Sequence, residues 1–384
     1  MTYKTFHLQA VLAAVICLAL FHLGVFDATT LSYVALAGTT LGLRGKVTLH
    51  DVAKSLDPDG KTATVVELLN QTNEIITDMH WHEGNLPTGH ETTIRTGLPT
   101  AIWRQLYQGV PASKSQRAKV TDACGMLETR AEVDVEAVAL NGHDKDFRLS
   151  ESRSFFESLN QTFADTLIYG NTATNPERFM GLAPRFPSLS GYEGADNVIA
   201  CSGTGSDQTS VWLVVWGKET VSGIYPKGSI AGLQHQDLGE YDAFDTNNNR
   251  YRALGDLWKW KCGLTVKDWR YVVRICNIDV PELVALSGTQ AVTASTSILK
   301  AMVKALGRIP AIGMGNTVFY ANRTVRTMLS IAAMDKTSSV LKFSDGLDQF
   351  GKVGVGTVAA GTLTFQGVPV RLCDRIIDTE TALT

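Results

Sequence analysis

Hydrophobic and polar positions divide this chain into stretches of different period. Leu8 to Phe26 is apolar and uncharged. At about 1.5 Å per residue it would reach about 28 Å, near the hydrocarbon thickness of a bilayer. It reads as a signal anchor or transmembrane helix, as a cleaved signal peptide with a poor small-residue site, or as a segment placed ahead of the true start. From Asp27 to Gly60 no period holds, which predicts an extended arm ending in the turn Asp57-Pro58-Asp59-Gly60. Val65, Leu68, Leu69, Thr72, Ile75, Ile76 and Met79 then recur at helical spacing. Between Leu86 and Val135, short strands at Thr92–Arg95, Ala101–Trp103 and Lys119–Val120 flank a polar tip at Gly109–Arg117. That pattern predicts a long β-hairpin projecting from a body.

A second helix is predicted after Ser150 as N-cap, with Phe155, Phe156, Leu159, Phe163 and Leu167 as its apolar stripe and Gly170 or Asn171 as its stop. Pro187 to Asp279 reads as strand-rich. Val211 to Trp216 is an unbroken apolar run, as in a strand buried on both faces. Trp269, Tyr271, Val273 and Ile275 alternate with Arg270 and Arg274, as in a half-buried strand. Ile298, Leu299, Met302, Val303 and Leu306 mark a helix that stops at Gly307, and another starts near Asn322 after the strand Thr317–Tyr320. Strands at Gly361–Phe365 and Gly367–Arg371 close the chain. No repeat of solenoid length is present.

Composition narrows the function classes. The 384 residues carry 35 Lys and Arg against 38 Asp and Glu, a formal charge of −3, which argues against a protein built to grip nucleic acid through phosphates. Six cysteines, none in a CxxC pair, fit reduced and mostly buried thiols rather than a disulfide scaffold or zinc site.

The candidate chemistry is thin. Asp78, His80 and His82, with His90 or Glu83, would ligate a metal on a strand, but at the end of a helical pattern they read as a polar cluster. Asp245, Asn247, Asn249 and Asp256 mimic a calcium loop, but Arg250 stands where glycine is needed, leaving an Asn-rich loop between strands. Gly203-Thr204-Gly205 precedes a strand rather than a helix, so it reads as a glycine hairpin and not a dinucleotide loop. Glu132, Asp134 and Glu136 alternate on a predicted strand; a hydrolase could use a pair of them, while a solvated face needs no chemistry. Lys300, Lys304 and Arg308 on one helix, with Arg323 and Arg326 on the next, read as solvent faces rather than phosphate contacts. No nucleophile, base and orienter are suggested together, so an enzyme is disfavoured, and no cofactor or metal is expected.

Several stretches of specific sequence carry a family resemblance. They are Asp51–Lys61 leading into Val65–Asn73, then Asn85–His90, Thr166–Asn171, Phe179–Arg185, Ser210–Gly217, Gly223–Gly228 and, most distinctive, Gly263–Arg274. Together they resemble the major capsid proteins of tailed bacteriophages with the Hong Kong 97-type fold, in particular those of short-tailed phages of the epsilon-fifteen kind. The resemblance implies an α+β fold with an N-terminal arm, an extended hairpin loop, a spine helix, and peripheral and axial domains. In this chain those would be residues 27–85 for arm and first helix, 86–135 for the loop lying on a neighbouring subunit, 149–169 for the spine, 136–185 with 336–384 for the peripheral domain, and 186–335 for the axial domain. It implies no catalytic residue. Some relatives of the fold cross-link a Lys to an Asn; Lys114 lies near the tip, but no partner is suggested, so a cross-link is not predicted.

The expectation is therefore a self-assembling virion protein forming an icosahedral head around double-stranded DNA, assembled in the host cytoplasm. Its partners would be further copies of itself, with scaffolding, portal and decoration proteins, DNA touched non-specifically, and no small-molecule substrate. Trp103, Tyr107, Lys114, Arg117 and Lys119 are the candidate assembly residues. Under this reading residues 1–26, with nineteen apolar residues and one charge, are expected to be a misplaced start or an appended segment. The rival readings are a membrane-anchored extracytoplasmic β-rich envelope protein or adhesin, suggested by that segment, and a hydrolase using Glu132 or Asp134.

Overall fold

The computed structural model describes residues 71, 73–141, 144–245, 248–284, 289–334, 341–343 and 363–384. The apolar segment 8–26, the arm at 27–60 and most of the helix expected from Val65 lie outside the described residues. In chain order the elements are helix α1 (Ile75–Asp78), strands β1 (Trp81–Glu83), β2 (Gly89–Gly97) and β3 (Gln116–Asp134), helices α2 (Val135–Asn141) and α3 (Asp144–Tyr169), strands β4 (Val198–Ala200), β5 (Gln208–Trp216), β6 (Val221–Tyr225), β7 (Gln234–Phe244), β8 (Arg250–Val266) and β9 (Val272–Asp279), helices α4 (Val280–Val284) and α5 (Thr289–Arg308), strand β10 (Asn316–Ala321), helix α6 (Arg323–Met334), and strands β11 (Leu341–Phe343), β12 (Leu363–Phe365) and β13 (Val368–Leu372).

The described chain forms two compact units. The smaller gathers Ala131–Glu151 and Asp237–Asp256. The larger holds the main sheet, whose strands follow the order β11-β12-β13-β10-β5-β6-β8-β3-β2. Strand β9 pairs antiparallel with β5 and parallel with β4.

Strand β5 is buried at every position, as its unbroken apolar run predicts. Because side chains alternate across a strand, β5 feeds two cores. Val211, Leu213 and Val215 pack with Val273, Ile275, Phe319 and Val370 under Ile298, Met302 and Ala305 of α5 and Val325 and Leu329 of α6. Trp212, Val214 and Trp216 pack on the other side with Phe163, Leu167 and Ile168 of α3 and with Ile75 and Met79. The aromatic rings of α3 meet β1 and β8 directly: Phe163 stacks on Trp260 at 4.4 Å between centroids and meets Trp81 at 5.9 Å.

Four expectations need correction. The helix expected from Ser150 is already formed at Asp144. Its early turn is held by Arg148, whose guanidinium donates to both carboxylate oxygens of Asp256 at 2.8 Å and to Asp237 at 3.1 Å; this contact joins residues far apart in sequence and outweighs the cap signal. Ala101–Trp103 is not a strand. It lies in the exposed tip, where the described chain offers no partner strand for its backbone groups. The half-buried strand expected from Trp269 is a 3₁₀ turn over Trp269–Tyr271, capped by Asp268, followed by a strand buried almost throughout. Asp268 accepts the Arg270 N–H at 3.1 Å and also holds the Arg270 guanidinium, which bends the chain out of register. Nor is Gly203-Thr204-Gly205 the tip of a hairpin, since β9 lies between β4 and β5.

Burying Arg274 requires a counter-charge. Its guanidinium donates to Glu380 at 2.9 Å, to the Phe186 carbonyl at 2.9 Å and to Ser210 Oγ at 3.2 Å. Glu380 also accepts Tyr169 Oη at 2.6 Å and the Ser210 hydroxyl. The chain's end is thereby tied into the sheet, and Asn277 and Leu383 add a reciprocal pair of hydrogen bonds at 2.9 and 2.8 Å. Removing one partner of a buried ion pair strands the other charge, at about 3–5 kcal/mol. R274M is expected to lose about that much in urea unfolding, and R274M with E380L distinctly less. A loss below about 1 kcal/mol in R274M would show that the pair does not anchor the C-terminal segment.

Candidate assembly surface

The hairpin expected between Leu86 and Val135 is present, longer than its strands suggested. β2 and β3 pair antiparallel from Gly89 opposite Ala123 to Gly97 opposite Gln116, with a register shift after Arg95. At its base, Asn85 closes a loop by donating to the Glu91 carbonyl and accepting the Glu91 N–H, both at 2.7 Å. Gly89 is required there, since a Cβ would meet the Asp122 carbonyl at 2.0 Å. Asp122, buried, is the anchor: it accepts from Arg185 at 2.7 Å and from the Thr265 hydroxyl at 2.7 Å. Arg185 lies at the end of the Phe179–Arg185 stretch and Thr265 on β8, so one carboxylate fixes the hairpin to two separate parts of the body.

Beyond this base the chain is bare. Residues 98–114 are exposed without exception. Trp103 and Tyr107 have their full surface in solvent, at 102% and 101%, and Leu106 and Leu98 are nearly as open at 84% and 79%. Tyr107 sits at φ 67°, the left-handed region that a non-glycine residue seldom takes. Lys114 and Arg117 are exposed. Lys119 is exposed and held by Glu91 at 2.7 Å, which raises its pKa. The candidate residues thus share one hairpin, with Trp103 and Tyr107 at its tip and Arg117 and Lys119 on its shaft. Leu98, Leu106 and Val110 accompany them on the surface, which no local pattern indicates.

The remaining chemical candidates are taken up by structure. Glu132 accepts the hydroxyls of Tyr241, at 2.8 Å, and Tyr251. Asp134 caps α2 by accepting the Glu136 N–H at 2.9 Å, so Glu136 lies on a helix and the three acids do not share a strand face. Asp256 is held by Arg148, and Asp245 accepts the N–H of Asn249 at 2.7 Å in a tight turn between β7 and β8. Asp78 accepts from Tyr320 at 2.7 Å and pairs with Arg371 at 3.2 Å. His82 lies on β1, not at a helix end, edge-on to His90 at 5.1 Å. Among the described residues no group of three or more His, Cys, Asp or Glu could hold a metal ion. Burial pushes the Cys124 and Cys276 thiols up to about 11 and Cys373 to about 12, so these remain protonated at neutral pH.

A sheet covered on both faces carries a long hairpin anchored at one end and open at the other, and this is the Hong Kong 97-type α+β fold of phage shells. The family model of Major capsid protein GP7 matches residues 57–384. The structure of bacteriophage Epsilon15, derived from cryo-EM and modelling, is similar at 34% sequence identity over 89% of this chain and 99% of that chain, with a TM-score of 0.66. Looser likenesses reach the bacteriophage JBD30 capsid, at 10% identity over 80% of this chain and 92% of that one with TM-score 0.45, and the capsid of a native GTA particle, at 9% identity over 58% and 96% with TM-score 0.42. No match was found among curated proteins.

The chain belongs to the Major capsid protein GP7 family. It is a major capsid protein of a phage head and a component of the virion, and it assembles with copies of itself. This replaces the envelope-protein and adhesin reading; among the described residues no helix is long and apolar enough to cross a membrane.

The hairpin base has a measurable pH signature. Both ring nitrogens of His82 are buried without a hydrogen-bond partner. Burial first, and the nearby Lys267 second, hold its pKa down at about 4, against an ordinary value of 6.5. Between these values the unfolded chain binds a proton that the folded chain refuses. The contribution of His82 is therefore complete above pH 6.5, is lost as pH drops toward about 4, and is constant below that. Thermal melts across this range should show H82Q with a shallower acid slope than the parent chain; equal slopes would remove His82 as the cause.

Proposed function

We propose that the β2–β3 hairpin is the arm by which each subunit holds its neighbour, with Trp103, Tyr107, Lys114, Arg117 and Lys119 on the contact surface. The observation that carries this is the complete exposure of Trp103 and Tyr107 at the end of a firmly anchored hairpin. Large aromatic side chains left in water are costly to solubility and are the residues that most often anchor interfaces. A neighbour that covers them gains about 1.5–3 kcal/mol for each large apolar side chain buried. Lys119, already paired with Glu91, contributes mainly through its apolar stem.

In the same reading residues 27–60 form an N-terminal arm, 86–135 the extended loop and 149–169 the spine helix. Residues 136–185 with 336–384 form the peripheral domain, and 186–335 the axial domain around capsomer axes. The shell encloses double-stranded DNA and touches it without reading bases, consistent with the near-neutral charge of −3. Scaffolding, portal and decoration proteins are its further partners, and assembly takes place in the host cytoplasm. Its role is mechanical rather than catalytic, without small-molecule substrate or cofactor; the structural engagement of Glu132, Asp134 and Asp256 supports this.

The test separates folding from assembly. W103A with Y107A removes side chains that touch nothing in their own subunit, so unfolding of the isolated chain should change by less than about 0.5 kcal/mol. Negative-stain microscopy should show shells or capsomer rings for the parent and neither for the variant. Shells of normal number from the variant would sink the proposed arm.

A further inference from the structure

We infer that the basic tip of the β2–β3 hairpin docks on the acidic outer face of β7 in a second copy of this chain. The inference rests on the hairpin being the intersubunit arm and names what that arm holds.

Charge is distributed very unevenly along the sequence. From Thr92 to Thr121 there are five basic residues, Arg95, Arg104, Lys114, Arg117 and Lys119, and no acidic one, in a chain whose net charge is −3. Arg95 stands directly opposite Arg117 in the strand register. Like charges at directly opposed positions oppose pairing of the strands. Of these basic residues only Lys119 has an ion pair among the described residues, with Glu91. The hairpin therefore carries a repulsion that an outside acidic surface would relieve.

The acidic surface is on the same chain. In sequence, residues 131–151 and 237–256 contain eleven Asp and Glu against four Lys and Arg, of which Glu132, Asp134, Asp237, Asp245 and Asp256 are engaged within the chain. Within them, alternation along β7 puts Glu240, Asp242 and Phe244 on one face, all exposed. Glu240 and Asp242 share the single cation Arg252, at 3.1 and 3.5 Å. Two carboxylates on one guanidinium leave a net negative charge, and surface pairs of this kind are held weakly. Phe244 is 49% exposed, with the Arg250 guanidinium 5.7 Å from its ring centre. The face thus offers carboxylates and an aromatic ring together. The tip offers guanidinium and ammonium groups together with Trp103 and Tyr107, which touch nothing in their own chain.

A contact between a tip and a different patch on the next copy is heterologous, so every copy gives one and receives one, which makes a ring where the rotation between copies closes. Charge complementarity would set the register and suppress wrong pairings more than it would add affinity.

A charge swap tests this. R95E with R117E reverses the opposed arginine pair at the outer end of the hairpin shaft, and E240K with D242K reverses the face. Each pair alone should lower the assembled fraction, read by light scattering and microscopy, about tenfold. All four changes in one chain set a reversed arginine pair against a reversed face and should recover part of the assembly that either pair loses. Normal assembly by either pair alone, or four changes that assemble no better than either pair, would overturn the inference. A chain with residues 98–115 replaced by a short Gly-Ser turn tests the underlying arm. If it assembles normally, the arm itself is wrong. If it fails while the swap does not rescue, only the acidic face is wrong. Zero-length carbodiimide coupling on assembled parent particles needs no variant. Lys114 should link to Glu240 or Asp242 of another copy. Links from Lys114 solely to other acids, or its protection by added DNA in place of a second copy, would also overturn the assignment.

Discussion

The constraint on which the structure depends is the burial of β5 on both faces. A strand reading Val-Trp-Leu-Val-Val-Trp cannot leave either side in water. Helices must cover both, and the chain supplies α5 and α6 for one side and α3 with the short α1 segment for the other. The neighbouring β9 is pulled into the same sandwich, and that is why Arg274 is buried and why a carboxylate must reach it. Glu380, almost at the end of the chain, does so. The position of the C-terminal residues thus follows from the burial of a strand far away in sequence.

Against this rigid body the hairpin is built on the opposite principle. Its base is fixed by one buried carboxylate, Asp122, working in two directions at once. Its far end is exposed from residue 98 to residue 114. Strong anchoring with an open tip is the geometry that the proposed intersubunit arm uses. The separation of charge fits the same logic, with basic residues on the element that reaches and acidic ones on the small unit that carries β7.

Much of this was legible from local pattern. The helix stripe of Leu159, Phe163 and Leu167, the Asn322 cap that accepts the Val325 N–H at 2.8 Å, the two-sided burial of Val211 to Trp216 and the presence of the hairpin all follow from periodicity and caps. What failed did so for one kind of reason. The start of α3, the turn at Trp269 and the fate of Glu132, Asp134 and Glu136 are set by partners distant in sequence or by a single cap that redirects the chain. No window of neighbouring residues contains Asp256 with Arg148, or Tyr241 and Tyr251 with Glu132.

The sequence by itself determined the α+β class, the order of most elements and, through its specific stretches, the family. Those properties depend on local periodicity and on residue identity, both of which can be read in one dimension. Only the tertiary structure decided which charges are spent internally and which stay exposed. Arg274 and Asp122 are consumed by buried partners, whereas Arg95, Lys114 and Arg117 are left in solvent. In the sequence all five are simply charged residues, because burial and pairing are properties of position in space.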